Sequence, residues 1–194
     1  MRWKAAGASA FLFAALVAEP GLGAPAPDLQ AAAGTYRVTS ASRIGFSIGQ
    51  VGGGGIQGTF GNFSGTFRID GGNIGRSTVQ FTIYPQSVVT RERRMEDFLR
   101  SSAVFHAEKF PTVTFRSTAV RQTASDQAIV EGLLTARGTT RPETFNVRLT
   151  GWNRSSIAFE VTGSLYRSRY GMDVGTPVYS NVVRFDMDIR GRRN

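Results

Sequence analysis

His106 is the one histidine of the 194 residues and cysteine is absent, so side chains able to move protons, attack carbonyls or hold metals are scarce. A structural or catalytic zinc needs several imidazole, thiolate or carboxylate ligands converging on one point, and no multi-histidine or thiolate set can form here. A Ser-His-Asp triad would have to use His106, and no strand-to-helix nucleophile elbow is present to partner it. Gly52 to Gly55 lack the lysine that accompanies a phosphate-cradling loop. Asp186 and Asp188 alternate with apolar residues and therefore belong to the wet face of a strand, where solvated charge is their ordinary role. These residues predict no enzyme, no metal and no cofactor.

The apolar inventory is richer. The chain has 14 phenylalanines, most of them in period-two alternation. Ile44, Phe46 and Ile48 alternate with Gly45, Ser47 and Gly49. Phe63, Phe67 and Ile69 share one side with Gly65, opposite Ser64, Thr66, Arg68 and Asp70. The pattern returns at Val79/Phe81/Ile83, Val113/Phe115, Phe145/Val147/Leu149, Ile157/Phe159/Val161/Leu165 and Val183/Phe185/Met187/Ile189. Such alternation describes antiparallel strands with one buried and one wet face. Turn residues fall between the runs, at Gly61-Asn62, Asp70 to Asn73, Ser125-Asp126, Gly138 to Pro142 and Gly151 to Asn153. Many short strands so spaced predict a β-sandwich or barrel. Eight strands closed into a barrel leave room for side chains or for one ligand, and alternation does not distinguish a filled interior from a hollow one.

One segment has helical spacing instead. Met95, Phe98, Leu99 and Ser102 predict a short helix over residues 91–104 lying across a barrel end, with Thr90 as its cap and Arg91, Arg93, Arg94 and Arg100 on its exposed face.

Residues 1–24 read as an export signal. Arg2 and Lys4 precede an apolar run from Ala5 to Ala18, then Glu19, Pro20 and small residues. The run is shorter than the roughly 20 residues that span a bilayer as a helix. Residues 25–33, rich in proline and alanine, read as a flexible leader, and 34–192 as the domain. The net charge is +9, which in an exported protein favours anionic membrane surfaces, lipid head groups or acidic polymers over nucleic acid.

Several motifs resemble those of the YceI-like family. Gly58-Thr-Phe60 with Phe63-Ser-Gly65 resembles its G-x-F-x-x-F-x-G signature. Leu99-Arg-Ser101, Phe105, Lys109-Phe-Pro111 and Phe115-Arg-Ser117 resemble its core motif. Gly132-Leu-Leu-Thr135 through Gly138 to Pro142 is similar to its G-x-L-T hairpin, and Arg167-Ser-Arg-Tyr170-Gly-Met172 to its R-x-D-F-G-M segment. The match covers nearly all of the chain after Tyr36, in the family's order. It departs at Met95 and Phe98, which replace a polar arginine and histidine, and at Ala103 and Arg169, which replace acidic residues. The resemblance implies an exported, lipocalin-like antiparallel barrel, without established catalytic activity and commonly a homodimer, that binds a polyisoprenoid or related amphiphile. The departures imply a more apolar lid.

The resulting expectation is an all-β, lipocalin-like antiparallel eight-stranded barrel with one short helix over an end, periplasmic, holding a polyisoprenoid, an isoprenoid-quinone tail or another long-chain lipid. The candidate lining is Phe46, Phe63, Phe67, Phe81, Phe115, Phe145, Phe159 and Phe185. Arg91, Arg93, Arg94, Arg167 and Arg169 are candidates for a head group or an anionic membrane at the mouth. The alternatives are a module that binds an acidic envelope partner through its basic surface around a solid core, and an enzyme of isoprenoid or quinone metabolism.

Overall fold

The structure is a computed structural model that describes residues 27–194; the expected export signal lies outside the described residues. Eleven strand segments follow in order: β1 (Gly34–Val38), β2 (Arg43–Gln50), β3 (Gly55–Phe60), β4 (Phe63–Ile69), β5 (Thr78–Ile83), β6 (Val88–Thr90), β7 (Val113–Gln122), β8 (Gln127–Ala136), β9 (Thr139–Trp152), β10 (Ser156–Tyr166) and β11 (Tyr179–Arg193), with helix α1 (Arg93–Arg100) between β6 and β7. Every pairing is antiparallel, and the ring β1-β4-β5-β7-β8-β9-β10-β11 closes because β11 also pairs with β1. β2, β3 and β6 prolong β1, β4 and β5 beyond kinks, so the eleven segments are eight long strands of one up-and-down barrel.

The kinks have local causes. Pro85 cannot donate a ladder hydrogen bond, and the chain there turns through Pro85–Ser87 before resuming as β6. The adjacent kink at Gly61-Asn62 is tied to it, since Gly61 donates to the Ser87 carbonyl at 3.0 Å and Tyr84 to that of Asn62 at 3.1 Å. Between β1 and β2 the Ser42 hydroxyl accepts the Arg190 amide at 2.9 Å, satisfying a group the bent strand leaves unpaired.

Period two holds throughout the walls. Phe145, Leu149, Ile157, Phe159, Met187 and Ile189 are buried, while Arg148, Glu160, Arg184 and Arg190 face out. A membrane-spanning barrel shows the reverse, an apolar outer band around a polar lumen.

The two ends differ. At one end, residues 28–33 fold under the barrel; Leu29 is buried and its amide donates to the Ser125 carbonyl at 2.8 Å. The Tyr36 hydroxyl donates to the Ala32 carbonyl at 2.8 Å. The expected flexible leader is therefore ordered over its described part, because Leu29 and Ala32 have an apolar floor to cover. At the other end the β5–β7 ladder finishes at Ile83 and Val113, and β6 beyond it pairs with β3 alone. The wall is open there between β6 and β7, and α1 with residues 101–112 fills the gap, Leu99 and Val104 buried beneath.

Helix α1 is shorter than predicted, eight residues rather than 91–104. Thr90 ends β6 and its hydroxyl accepts from the Glu92 amide at 3.2 Å in a local turn instead of capping the helix. The helix stops at Ser101, whose extended backbone breaks the spiral. The helical spacing of Met95, Phe98, Leu99 and Ser102 therefore overshoots at the C-terminal end, where the chain turns back to cover the gap.

Arginines fasten this end by donating to main-chain carbonyls. Arg100 reaches Gln86 and Val88 at 3.0 and 2.8 Å. Arg137, in the two-residue β8–β9 turn where it and Gly138 both take positive φ, bridges Val104 and Gly171 at 2.8 and 2.7 Å. Arg167 is buried at 5% exposure. It donates to the carbonyls of Met172, Val174, Tyr179 and Ser180 and to the Thr176 hydroxyl. All five guanidinium N–H groups are thus used. Burial holds its pKa below the ordinary arginine value, with Asp173 opposing. The expectation of Arg167 as a head-group residue at the mouth is corrected: it is the pin around which the β10–β11 loop is wound. Substituting Arg167→Met strands those acceptors and is expected to cost about 2–4 kcal/mol, read as a lower urea midpoint. Arg167→Lys, with three donors on one nitrogen, is expected to recover only part of it. An unchanged midpoint in Arg167→Met would show that the pin carries no stability.

Candidate functional site

The barrel is hollow. A cavity of about 210 Å³ runs from Leu29 and Ile74 at the closed end to Phe105, Tyr170 and Met172 at the helix end. Ala128 and Ala136, eight positions apart on β8, both border it; at about 3.3 Å per residue and a strand tilt of roughly 40° the space is about 20 Å long. It is a thread-shaped lumen. Its few polar neighbours are Arg68, Ser77, Thr78, Thr114 and the fully engaged Arg167.

Of the eight phenylalanines expected to line it, Phe46, Phe67, Phe81, Phe115, Phe145, Phe159 and Phe185 border the lumen. Phe63 does not: it sits beside the Gly61-Asn62 kink, half-buried, with its ring stacked on Phe81 at 6.1 Å between centroids. Five of the others make edge-to-face contacts, Phe115 to Phe145 at 5.2 Å, Phe145 to Phe185 at 6.0 Å and Phe67 to Phe159 at 5.6 Å. Those spacings are the favoured ones for aromatic pairs.

Five of these rings lie over glycines of neighbouring strands. Phe46 faces Gly58, Phe81 faces Gly65 and Phe145 faces Gly163 in direct cross-strand register. Phe115 lies diagonally over Gly132, and Phe67 reaches across β1 to Gly191. A Cβ added at Gly58, Gly65, Gly163 or Gly191 would stand 2.5–2.7 Å from a ring carbon, and closer still at Gly132. The missing side chains are therefore what lets the rings lie against the wall instead of across the lumen. Gly65 was already legible as an apolar-face position; the pairing of each glycine with a ring needs the register and was not.

Near the helix end β9 turns Glu143 inward, two positions before Phe145. Its Oε1 accepts from the Tyr170 hydroxyl at 2.8 Å and from Arg169 at 3.2 Å. Burial pushes the Tyr170 phenol well above its ordinary range, and the Glu143 carboxylate adds to the rise, so the phenol stays a neutral donor. Arg169 is thereby paired with Glu143 through one N–H, and its side chain remains 38% exposed. Arg91, Arg93 and Arg94 are exposed and form no ion pair among the described residues. The Glu143–Tyr170 pair escaped the sequence reading, although Glu143 stands in the inward register of Phe145 and Val147.

The remaining chemistry-bearing residues stay apart. His106 packs edge-on to Phe110 at 5.7 Å. Asp186 and Asp188 lie outside, both paired with Arg43 at 3.1 and 3.2 Å. Ser47 has a glycine two positions away on each side, but it sits mid-β2 on the outer face, so those glycines build no elbow. No group of three or more potential metal-binding side chains occurs among the described residues.

The YceI-like domain profile matches residues 36–191. The chain belongs to the YceI-like family. Protein YceI of Salmonella arizonae is 30% identical over 153 residues, spanning 76% of this chain and 80% of that protein. The crystal structure of Burkholderia cenocepacia BcnA superposes with a TM-score of 0.73 at 22% identity, over 79% of this chain and 98% of that one. A polyisoprenoid binding domain from Saccharophagus degradans, implicated in plant cell wall breakdown, gives a TM-score of 0.67 at 15% identity, over 84% and 99%. At such identities the two structures establish the shared fold. On this YceI-like barrel the resembling motifs have structural reasons: Gly58, Phe60, Phe63 and Gly65 wrap the β3–β4 kink, Gly132 to Pro142 forms the β8–β9 hairpin, and Arg167 to Met172 starts the pinned loop.

Gly163→Ala is expected to swing the Phe145 ring into the lumen. Uptake of an apolar fluorescent probe should fall several-fold, with about 1–3 kcal/mol lost to overpacking. Adding Phe145→Leu to Gly163→Ala should restore uptake. Unchanged uptake in the single variant would mean that the seated ring does not shape the space.

Proposed function

We propose that this YceI-like barrel is an exported, periplasmic lipid-binding protein that encloses the apolar chain of a polyisoprenoid, an isoprenoid quinone or another long-chain amphiphile, and that it is not an enzyme. The observation that carries this is the thread-shaped apolar lumen bordered from end to end by aliphatic and phenyl side chains. A space about 20 Å long with almost no hydrogen-bonding groups suits a hydrocarbon chain better than a compact polar metabolite. Burying methylenes there gains roughly 0.8 kcal/mol each, so ten of them outweigh the lower estimates of association cost. Polyisoprenoid binding in a neighbour of the same fold supports the choice of ligand. The alternative of a solid core serving only a basic surface is disfavoured by the hollow.

The test is native mass spectrometry of full-length protein recovered from the periplasm without detergent. The expected result is an added mass of a few hundred daltons that organic extraction releases as a prenyl or acyl lipid. Val130→Trp, which places an indole among the lumen residues, should leave the protein folded and reduce that occupancy about tenfold or more. A bare mass that incubation with polyprenols, quinones and fatty acids does not change would overturn the proposal.

A further inference from the structure

Large exposed apolar side chains are unevenly distributed over the barrel. Val51, Phe98, Val174 and Val178 project from the helix end, with Tyr166 at the top of β10, whereas Trp152 is the one such residue at the closed end among the described residues. Val51, 76% exposed, is joined to Val178, 53% exposed, by a main-chain hydrogen bond of 3.0 Å. Arg137 joins the segment that follows α1 to the loop bearing Val174. Arg100 and the Glu96 carboxylate, which accepts the Thr90 amide at 3.0 Å, hold α1 against β6. These elements therefore form one connected rim, and the gap in the paired wall between β6 and β7 lies within it.

The free cations of the rim cluster at the start of α1. Arg91, Arg93 and Arg94 are exposed and without ion pairs among the described residues, while Glu96 and Asp97 are both occupied by Arg100. Glu92 lies among the three, and the other exposed acids of the rim without ion pairs among the described residues, Glu108 and Asp173, stand on the segment after α1 and on the β10–β11 loop. Exposed valine and phenylalanine tips at the same end as unpaired guanidinium groups match the boundary of an anionic bilayer, where apolar tips enter the acyl edge and arginines meet phosphates. A protein partner with an acidic surface would satisfy the arginines and leave the valine tips in water.

We infer that the helix end is a docking face for an anionic lipid bilayer, and that the apolar chain enters the lumen there, through the seam that α1 covers. The route rests on the lipid-binding reading of the lumen; the docking does not. Once the rim is seated, the seam opens toward acyl chains, so a long apolar chain passes from membrane to lumen without crossing water. Displacing α1 exposes Leu99, Val104 and Phe105 to lipid rather than solvent, which lowers the cost of opening.

The experiment is sedimentation of delipidated full-length protein with vesicles of phosphatidylcholine alone or of equal parts phosphatidylcholine and phosphatidylglycerol. Wild-type protein should sediment with the anionic vesicles and be released by high salt. R91Q/R93Q/R94Q should lower partitioning about tenfold or more, F98S should weaken it several-fold, and the closed-end control R154Q/R190Q should leave it unchanged. Loss of binding in R154Q/R190Q with retention in R91Q/R93Q/R94Q would overturn the assignment, as would equal binding to both vesicles. Vesicle-independent dimerisation abolished by F98S would show that the rim serves a second copy of the chain instead. Vesicle binding without uptake of a prenyl chain would remove the lipid-binding reading and leave the docking face standing.

Discussion

The hollow depends on phenyl rings lying flat over glycines. An eight-stranded barrel has room for its inward side chains or for one ligand, and protein interiors are packed as densely as organic crystals. Nine phenyl rings border the lumen and would ordinarily meet in the middle. Here five of them rest on positions where the neighbouring strand has no Cβ, so each ring becomes part of the wall. The glycines lose conformational entropy on folding and contribute no packing atoms of their own. The rings over them restore the packing on the wall side and leave the lumen side bare. Register is what makes this work, because sliding one strand by a single residue would send that strand's ring outward.

The two ends are then built to different rules. At the closed end β1, β4, β5 and β11 pair within one ring, and Leu29 and Tyr36 tie residues 28–33 beneath it. Opening that end would break a sheet. At the helix end the closure consists of a short helix, a loop and arginines donating to carbonyls, with no ladder between β6 and β7. Segments held by few contacts open locally at lower free energy than strands inside a sheet. Arg167 limits how far this goes: its five donors keep the β10–β11 loop in place, so the compliance is concentrated in α1 and residues 101–112.

Much of the fold was legible because it rests on alternation, which depends on side chains alone. The wet placement of Asp186 and Asp188 and the inward placement of Phe145 and Phe185 follow from period two. What was not legible depends on tertiary partners. The kinks that divide eight strands into eleven segments come from hydrogen bonds between Gly61, Asn62, Tyr84 and Ser87, far apart in the chain. Residues 28–33 have no periodicity of their own and are ordered by the floor they cover. Arg167 and Arg169 carry the same charge as Arg91 and look equivalent in sequence, yet one is wound into carbonyls, one is paired with Glu143, and Arg91 is exposed. The difference lies in the acceptors around them, most of them main-chain atoms that residue types do not display.

An apolar lumen of this kind is an incomplete core. Phe81, Phe115 and Phe159 border the lumen, and a ring facing empty space loses dispersion energy on that side. A hydrocarbon chain filling the space would supply those contacts and remove the apolar surface from water together. In the proposed function, binding and folding therefore draw on the same atoms, and occupancy stabilises the barrel by RT ln(1 + [L]/Kd). The glycines that keep the rings apart lower the stability of the empty barrel and raise the gain on filling it. A solid core would fold more firmly and hold nothing; this interior gives up part of its own packing so that a second molecule completes it.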